Sequence, residues 1–302
     1  MTYGGAGRGP SKNERREAAR EKARLLREER KKKDRRNKVL LQGGLIVAVV
    51  AVVAVVAFAI TSSIQPPAPG PANMLSDGIK IGQEYKAVAT AGLQPDETPV
   101  PSESNAPEVI DIQIYLDYFC PICGQFESAN ADQIATWVQS GAATVEYHPI
   151  SILDRLSQST KYSTRSANAA ACVANYSPDS FFEYNALLFV NQPPENSTGL
   201  SDERLADLAR EAGAKKLSSI TTCIDDQAFK SWVISATTRA TTGPIAGTDV
   251  EKVEGTPTVI INGKKYGGAI NDPTAFAAAV ATAAGQAFTE ESAATPTPTP
   301  VP

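Results

Sequence analysis

The sequence predicts an α/β domain, and three features indicate it. A strand-like run, Val109–Leu116, is followed directly by a helix-like one, and two cysteines two residues apart mark the junction. A second β-branched strand begins after Pro257. The stretch between, from about residue 164 to 241, is helical by pattern. About 180 residues belong to this globular part, which is enough for one domain with a hydrophobic core.

The cysteine pair at the junction predicts redox chemistry. Pro121 suits the first helical position, where its missing N–H costs nothing, so Cys120 falls at the N-cap. Its sulfur then lies near free N–H groups and the positive end of the helix dipole, and such cysteines have pKa values of roughly 3.5–7.5. Cys123 lies one turn further in, where it can attack a mixed disulfide. We therefore expect Cys120 to be the nucleophile and Cys123 the resolving cysteine, with Pro121 and Ile122 between them.

Two other interpretations of the pair remain open, a structural disulfide and a zinc site. A structural disulfide would not need the strand-to-helix placement. A zinc site would need two more ligands, and the remaining Cys and His candidates, Cys172, Cys223 and His148, are widely separated. No metal is predicted.

Two polar residues near the predicted strand ends also have alternative roles. His148, the only histidine, invites a catalytic role, but no serine nucleophile or carboxylate partner is in view, so a structural role is favoured. Asp117 is interpreted as a strand-end residue. It could instead accept a proton if it were buried close to the sulfurs.

The Thr-Pro stretch supplies the second motif. Pro257 comes just before a strand rich in β-branched residues, a position from which a central strand would normally exclude proline. The alternative is that this proline only marks the end of an edge strand. Asn262-Gly263 then predicts a hairpin turn. The chain resembles the bacterial DsbA-like (DsbA/BdbD-like) branch of the thioredoxin superfamily over roughly 108–285. The residues that carry this resemblance are Asp117–Cys123, Gly255–Thr258 and the helical stretch between them.

The resemblance implies a thioredoxin fold with a helical insertion, at about 155–245, between the second strand and the proline strand. It implies that Pro257 is cis and lies against the Cys120 sulfur, and that Thr256 turns its backbone toward a bound peptide. It also implies a quinone-linked membrane partner that re-oxidises the pair, and no cofactor. Many relatives have histidine inside the motif. Pro121-Ile122 departs from that pattern, which predicts a milder oxidant.

The N-terminal part predicts a membrane anchor. Residues 1–38 carry fifteen Lys/Arg and six Asp/Glu, a net +9, whereas the rest carries 14 and 27, a net −13. Val39–Ile60 is 22 residues without a charge, long enough to span a bilayer as a helix. The basic flank places 1–38 in the cytoplasm and the domain outside. A cleaved signal peptide is the alternative, but the apolar core and basic lead are both too long for it. The tail lacks a nucleic-acid motif, so nucleic-acid binding is not predicted.

The remaining segments complete the predicted organisation. Residues 61–107, rich in proline, are expected to form an extracytoplasmic linker with a short edge strand near 76–89. The domain follows at 108–285, closed by a helix that starts at Pro273. Residues 286–302, with repeated Thr-Pro, are expected to be disordered.

The other two cysteines are expected to form a structural disulfide. Outside the membrane, unpaired thiols tend to oxidise, and four cysteines allow two bridges. A Cys172–Cys223 bridge would join two helices of the insertion; two buried free thiols are the alternative.

These features together predict an extracytoplasmic thiol:disulfide oxidoreductase that introduces disulfides into exported cysteine-containing proteins. A reductase or isomerase with the same site, and a non-catalytic redox-sensing or scaffold subunit of a membrane complex, remain alternatives. The sequence does not give the direction of electron flow.

Overall fold

The computed structural model describes residues 17, 20–33, 35 and 69–294. The chain divides into two compact units, Met1–Gln65 and Pro66–Pro302. In the first unit, residues 20–33 form an exposed helix, α1. The predicted transmembrane segment 39–60 lies outside the described residues. Within the described ranges, no helix combines the length and the apolar character needed to cross a bilayer.

The second unit is organised around one six-stranded sheet. Its strands are β1 (Ile79–Gly82), β2 (Lys86–Ala87), β3 (Ile110–Leu116), β4 (Ala143–Pro149), β5 (Thr258–Ile261) and β6 (Lys264–Lys265). Their order across the sheet is β2-β1-β4-β3-β5-β6. β3 and β4 run parallel, and β5 is antiparallel to β3. The strand that leads into the cysteine pair is therefore central, with the strand after Pro257 beside it.

The alternation of side chains along the central strands separates two cores. Ile112 and Ile114 of β3 are buried in the main cluster with Phe126 and Phe276 from the covering helices. Tyr115 belongs instead to a second, smaller cluster. Because successive strand residues point to opposite faces, the two sides of the sheet bury different sets of residues.

The helices follow the predicted plan. They are α2 (Pro121–Ser140), α3 (Tyr162–Tyr176), α4 (Phe181–Val190), α5 (Asp202–Glu211), α6 (Leu217–Asp225), α7 (Lys230–Thr242) and α8 (Pro273–Ala294). Short 3-10 turns lie at Gln83–Tyr85, Asp154–Leu156 and Pro178–Ser180. Helices α3 to α7 form the insertion between β4 and β5. The mixed α/β thioredoxin-like fold with a helical insertion is confirmed.

Two local signals in the sequence correspond to observed features. The Ser201 side chain accepts a hydrogen bond from the Arg204 N–H at the start of α5, as an N-cap does. Asn262 and Gly263, both with positive φ, form the two-residue turn between β5 and β6.

The short edge strand predicted near 76–89 is present as β1 and β2. The rest of the predicted linker over 61–107 requires correction from residue 69 onward, because this segment packs as part of the domain. β1 pairs antiparallel with β4 and covers an edge that would otherwise be open. Ile79 and Ile81 are fully buried. Further along, the Lys80 ammonium donates to the Glu103 carbonyl over 2.8 Å. The proline-rich composition concealed this packing.

The predicted disordered tail over 286–302 also requires correction. Helix α8 continues to Ala294 instead of ending at 285. The segment is rich in alanine, the strongest helix former, so the helix propagates beyond its packed first turns. Residues 295–302 lie outside the described part.

Candidate active site

Cys120 and Cys123 occupy the junction between β3 and α2. Cys120 is the N-cap of α2, with extended backbone angles, and Pro121 is the first helical residue. Cys123 is 1% exposed and Cys120 is 6% exposed, so both residues are buried and Cys120 is the more accessible of the two. Both cysteines are free thiols in this structure.

The two thiols have opposite electrostatic environments. The Cys123 thiol donates a hydrogen bond to Cys120, and this bond, with the Thr256 side chain and the N–H groups of Cys123 and Ile122, lowers the pKa of Cys120 to about 6. Burial opposes the shift but does not cancel it. Burial raises the pKa of Cys123 well above its ordinary value. At neutral pH, Cys120 is mainly a thiolate and Cys123 a thiol.

Thr256 and Pro257 lie directly beside this pair. The Cys120 sulfur lies 3.2 Å from the Thr256 carbonyl oxygen, to which it donates a hydrogen bond in its thiol form, and the Thr256–Pro257 peptide bond is cis. The Thr256 hydroxyl is buried without a hydrogen-bond partner elsewhere in the described ranges, and its proximity lowers the pKa of both thiols. The structure thus gives this hydroxyl a role that sequence reasoning did not anticipate.

Asp117 holds the turn that presents the cysteines. Its buried carboxylate accepts backbone N–H groups of Phe119, Ile152 and Leu153 over 2.9–3.0 Å. Burial raises its pKa to about 6 despite these hydrogen bonds. The carboxylate therefore ties the active-site turn to the segment that follows β4.

Gln192, just beyond α4, is a residue that sequence reasoning missed. Its Nε2 donates to the carbonyl oxygens of Tyr118 (3.1 Å) and Cys120 (2.9 Å). It connects the helical insertion to the cysteine turn. No short-range pattern marks it, since 72 residues separate it from Cys120.

Glu127 is a second missed residue, one helical turn after Cys123. It is buried, and burial raises the pKa of its carboxyl to about 7. Asn185 donates to its Oε1 over 3.3 Å, while the Tyr118 hydroxyl donates to the Asn185 carbonyl oxygen over 3.0 Å. An acidic residue four positions after a buried cysteine on the same helix was the available signal.

The other candidate residues lie apart from the pair. His148 stacks on Tyr115, with ring centroids 4.2 Å apart, and neither of its nitrogens hydrogen-bonds to a described residue. Cys172 of α3 and Cys223 of α6 are joined by a disulfide. Among the described residues, no cluster of three metal-ligating side chains occurs.

The fold and this site together define a class of protein. A reactive thiolate at a helix N-cap, a buried second thiol and a proline loop against them are the parts that thiol–disulfide exchange needs. The chain is a thiol:disulfide oxidoreductase.

Comparison with known proteins gives the family. A family model described as thioredoxin matches residues 96–281, which is 186 of the 302 residues. The chain therefore belongs to the thioredoxin family. Among curated proteins, it is 38% identical over 116 residues to the serine/threonine-protein kinase PknE of Mycobacterium tuberculosis. That match covers 37% of this chain and only 20% of the kinase.

Solved structures agree with this assignment. Oxidised DsbA of Mycobacterium tuberculosis is 28% identical, with a TM-score of 0.52, over 72% of this chain and all of that one. The reduced form of the disulfide bond oxidoreductase DsbG of the same organism is 27% identical, with a TM-score of 0.51. That match covers 70% of this chain and 94% of DsbG. BdbD of Bacillus subtilis shares the fold, with a TM-score of 0.51 and 18% identity. That match covers 73% of this chain and all of BdbD.

Proposed function

We propose that this chain is a membrane-anchored, extracytoplasmic oxidase that introduces disulfides into exported proteins through Cys120 and Cys123. The observation that supports the direction is the asymmetry of the two thiols. The pKa of Cys120 lies at about 6, so its thiolate is stabilised in the reduced form. Stabilising the reduced form makes the oxidised form a better oxidant.

The exchange proceeds in two displacement steps. A substrate thiolate attacks the Cys120 sulfur of the Cys120–Cys123 disulfide; the bond between the two cysteines breaks, and Cys123 leaves and takes up a proton. The second substrate thiolate then attacks the substrate sulfur of the mixed disulfide. Cys120 leaves as its stabilised thiolate. Two electrons pass from the substrate to the pair, and the substrate gains one disulfide.

The surroundings of the pair suit an unfolded polypeptide substrate. Thr256 and Pro257 would hold the substrate backbone beside Cys120. Ile122 is 45% exposed between the cysteines, and Val190, two residues before Gln192, is 81% exposed. Apolar side chains left open at a site are typical of surfaces that bind other chains. Exported cysteine-containing proteins are the substrates we propose, with a quinone-linked membrane protein as the re-oxidant.

The reduction potential of the pair tests the direction. The full-length protein is equilibrated with glutathione buffers, and the redox state of Cys120 and Cys123 is counted by mass after thiol trapping. A potential above roughly −180 mV supports an oxidase. A value near roughly −270 mV would overturn the direction and assign a reductase instead.

The kinase match favours one second candidate, a redox-sensing module without turnover. A signalling protein shares 116 residues with this chain at 38% identity. Catalytic turnover separates the two functions. An oxidase inserts disulfides into a reduced exported protein and loses this activity as Cys120→Ala, whereas a redox sensor without turnover inserts none even as wild type. A scaffold that acts independently of its thiols would retain its function in Cys120→Ala.

A further inference from the structure

A cavity with a mixed polar and apolar lining lies on the sheet face opposite the side chains that pack with α2. It has a volume of about 330 Å³. Its floor includes Tyr115, Glu146 and His148 of the two central strands. Their strand neighbours Ile114, Val145 and Tyr147 point to the other face and belong to the main core with Phe126. The exchange mechanism uses none of the residues on this floor.

The cavity contains one buried carboxylate without a cationic partner. Glu146 is 1% exposed, and its Oε1 accepts hydrogen bonds from the Ser76 and Ser102 hydroxyls, which carry no charge. The imidazole of His148 lies beside this carboxylate, with its Nε2 3.6 Å from Oε1. A buried carboxylate normally has an opposite charge beside it.

The other charged groups in the cavity compensate one another. Asp77 accepts two hydrogen bonds from Arg239, over 2.6 and 2.7 Å, and a third from the Trp232 indole over 3.1 Å. Lys80, the register partner of Glu146, directs its ammonium to Asp111 over 3.1 Å. Among the described residues, no lysine or arginine forms an ion pair with the Glu146 carboxylate.

The remaining wall is aromatic and apolar. His148 is 3% exposed, stacks on Tyr115, and has both ring nitrogens without a hydrogen-bond partner in the described ranges. Pro101, Ile150 and Ile245 also line the cavity. A ligand therefore meets both hydrogen-bonding atoms and hydrocarbon, and the volume suits a small molecule.

We propose that this cavity is a binding site for a small organic ammonium ion with an apolar body. The ammonium group would pair with the Glu146 carboxylate and donate a hydrogen bond to a His148 ring nitrogen. The face of the Tyr115 ring favours a cation in the same place. The apolar body would lie against Ile150 and Ile245. The site is independent of the cysteine pair.

Three probes of similar size test the proposal on the full-length, untagged protein. Benzylammonium, benzyl alcohol and benzoate share a ring and differ in the charge of the head group. Binding is followed through the ring resonances of the single histidine after selective labelling. We expect saturable, one-to-one binding of benzylammonium with a shift of the His148 resonances, at least about tenfold weaker binding of the alcohol, and none of benzoate.

Variants locate the ligand. Glu146→Gln should weaken benzylammonium binding about tenfold or more and leave benzyl alcohol unaffected. Glu103→Gln, the same change on an exposed side chain of the neighbouring segment, should have no effect. Should Glu146→Gln fail to fold, Ala240→Leu reduces the cavity volume from α7 and should abolish binding. Equal binding of ammonium and alcohol, preferential binding of benzoate, or binding without a His148 shift would overturn the proposal.

Discussion

Replacing Cys123 tests the largest cause of the low Cys120 pKa. The Cys123 thiol donates a hydrogen bond that favours the Cys120 thiolate more than any other group does. Cys123→Ser retains a donor, whereas Cys123→Ala removes it. A hydrogen bond to a charged group contributes about 1.5–3 kcal/mol, or about one to two pKa units. Because the Thr256 side chain and the backbone N–H groups still stabilise the Cys120 thiolate in both variants, we expect the lower figure, about one unit.

The assay is the pH dependence of iodoacetamide alkylation. Cys172 and Cys223 are bonded to each other, so Cys120 is the one free thiol of either variant. We expect a rate midpoint near pH 6 for Cys123→Ser and about one unit higher for Cys123→Ala. Equal midpoints in the two variants, or midpoints near the ordinary thiol value of 9.0 in both, would refute the hydrogen-bond account.

Three further predictions follow from the described contacts. Gln192→Glu places a carboxylate against two carbonyl oxygens beside the nucleophilic thiol and should raise that thiol's pKa by about one unit, measured by the same alkylation profile. Burial raises the pKa of the Glu127 carboxyl from 4.5 to about 7. The stabilisation that this group gives the folded state is therefore fully present below pH 4.5 and is lost as pH rises through about 7. Glu127→Gln should remove up to about 3 kcal/mol of the pH dependence of the unfolding free energy, measured in urea. Replacing Cys172 and Cys223 by serine opens a loop of 51 residues and should lower the unfolding free energy by about 4 kcal/mol.

Each of these predictions has a control. Gln125→Glu introduces the same charge on the exposed side of α2 and should leave the thiol pKa unchanged, and an equal effect would show that general charge is responsible. The unfolding free energy of the wild type and of Glu127→Gln is measured at pH 5 and at pH 8. An equal change between the two pH values in both proteins would contradict a titrating Glu127. Alkylation of Cys172 and Cys223 without prior reduction would contradict the disulfide.

The local signals around the cysteine pair were sufficient to predict the centre of the fold. Isoleucine and valine in Val109–Leu116 indicated a central strand, and Pro121 fixed the first turn of α2. The edge of the sheet could be predicted only in part. A short edge strand was predicted near 76–89, where β1 and β2 lie, but the proline-rich residues on either side concealed the packing of the rest of that segment. The partner of β1, β4, lies more than sixty residues away, a separation that local patterns do not encode.

The site shows the same division between local and distant contributions. Recognisable sequence motifs contain Cys120, Cys123 and Thr256. Glu127 contacts Asn185 of α4, and Gln192, just beyond α4, contacts the turn before α2; both contacts exist only after the insertion has folded back. A glutamine after a helix looks like any surface residue in the sequence, so its two hydrogen bonds could not be predicted.

The most direct test of the central claim is the capture of substrates by Cys120. In cells that produce full-length Cys123→Ser, the mixed disulfide cannot be resolved by the protein itself. The account predicts adducts with exported proteins, joined through Cys120, that disappear on reduction and are absent from Cys120→Ser. The absence of such adducts, or adducts that persist when Cys120 is replaced, would contradict thiol–disulfide exchange through this residue.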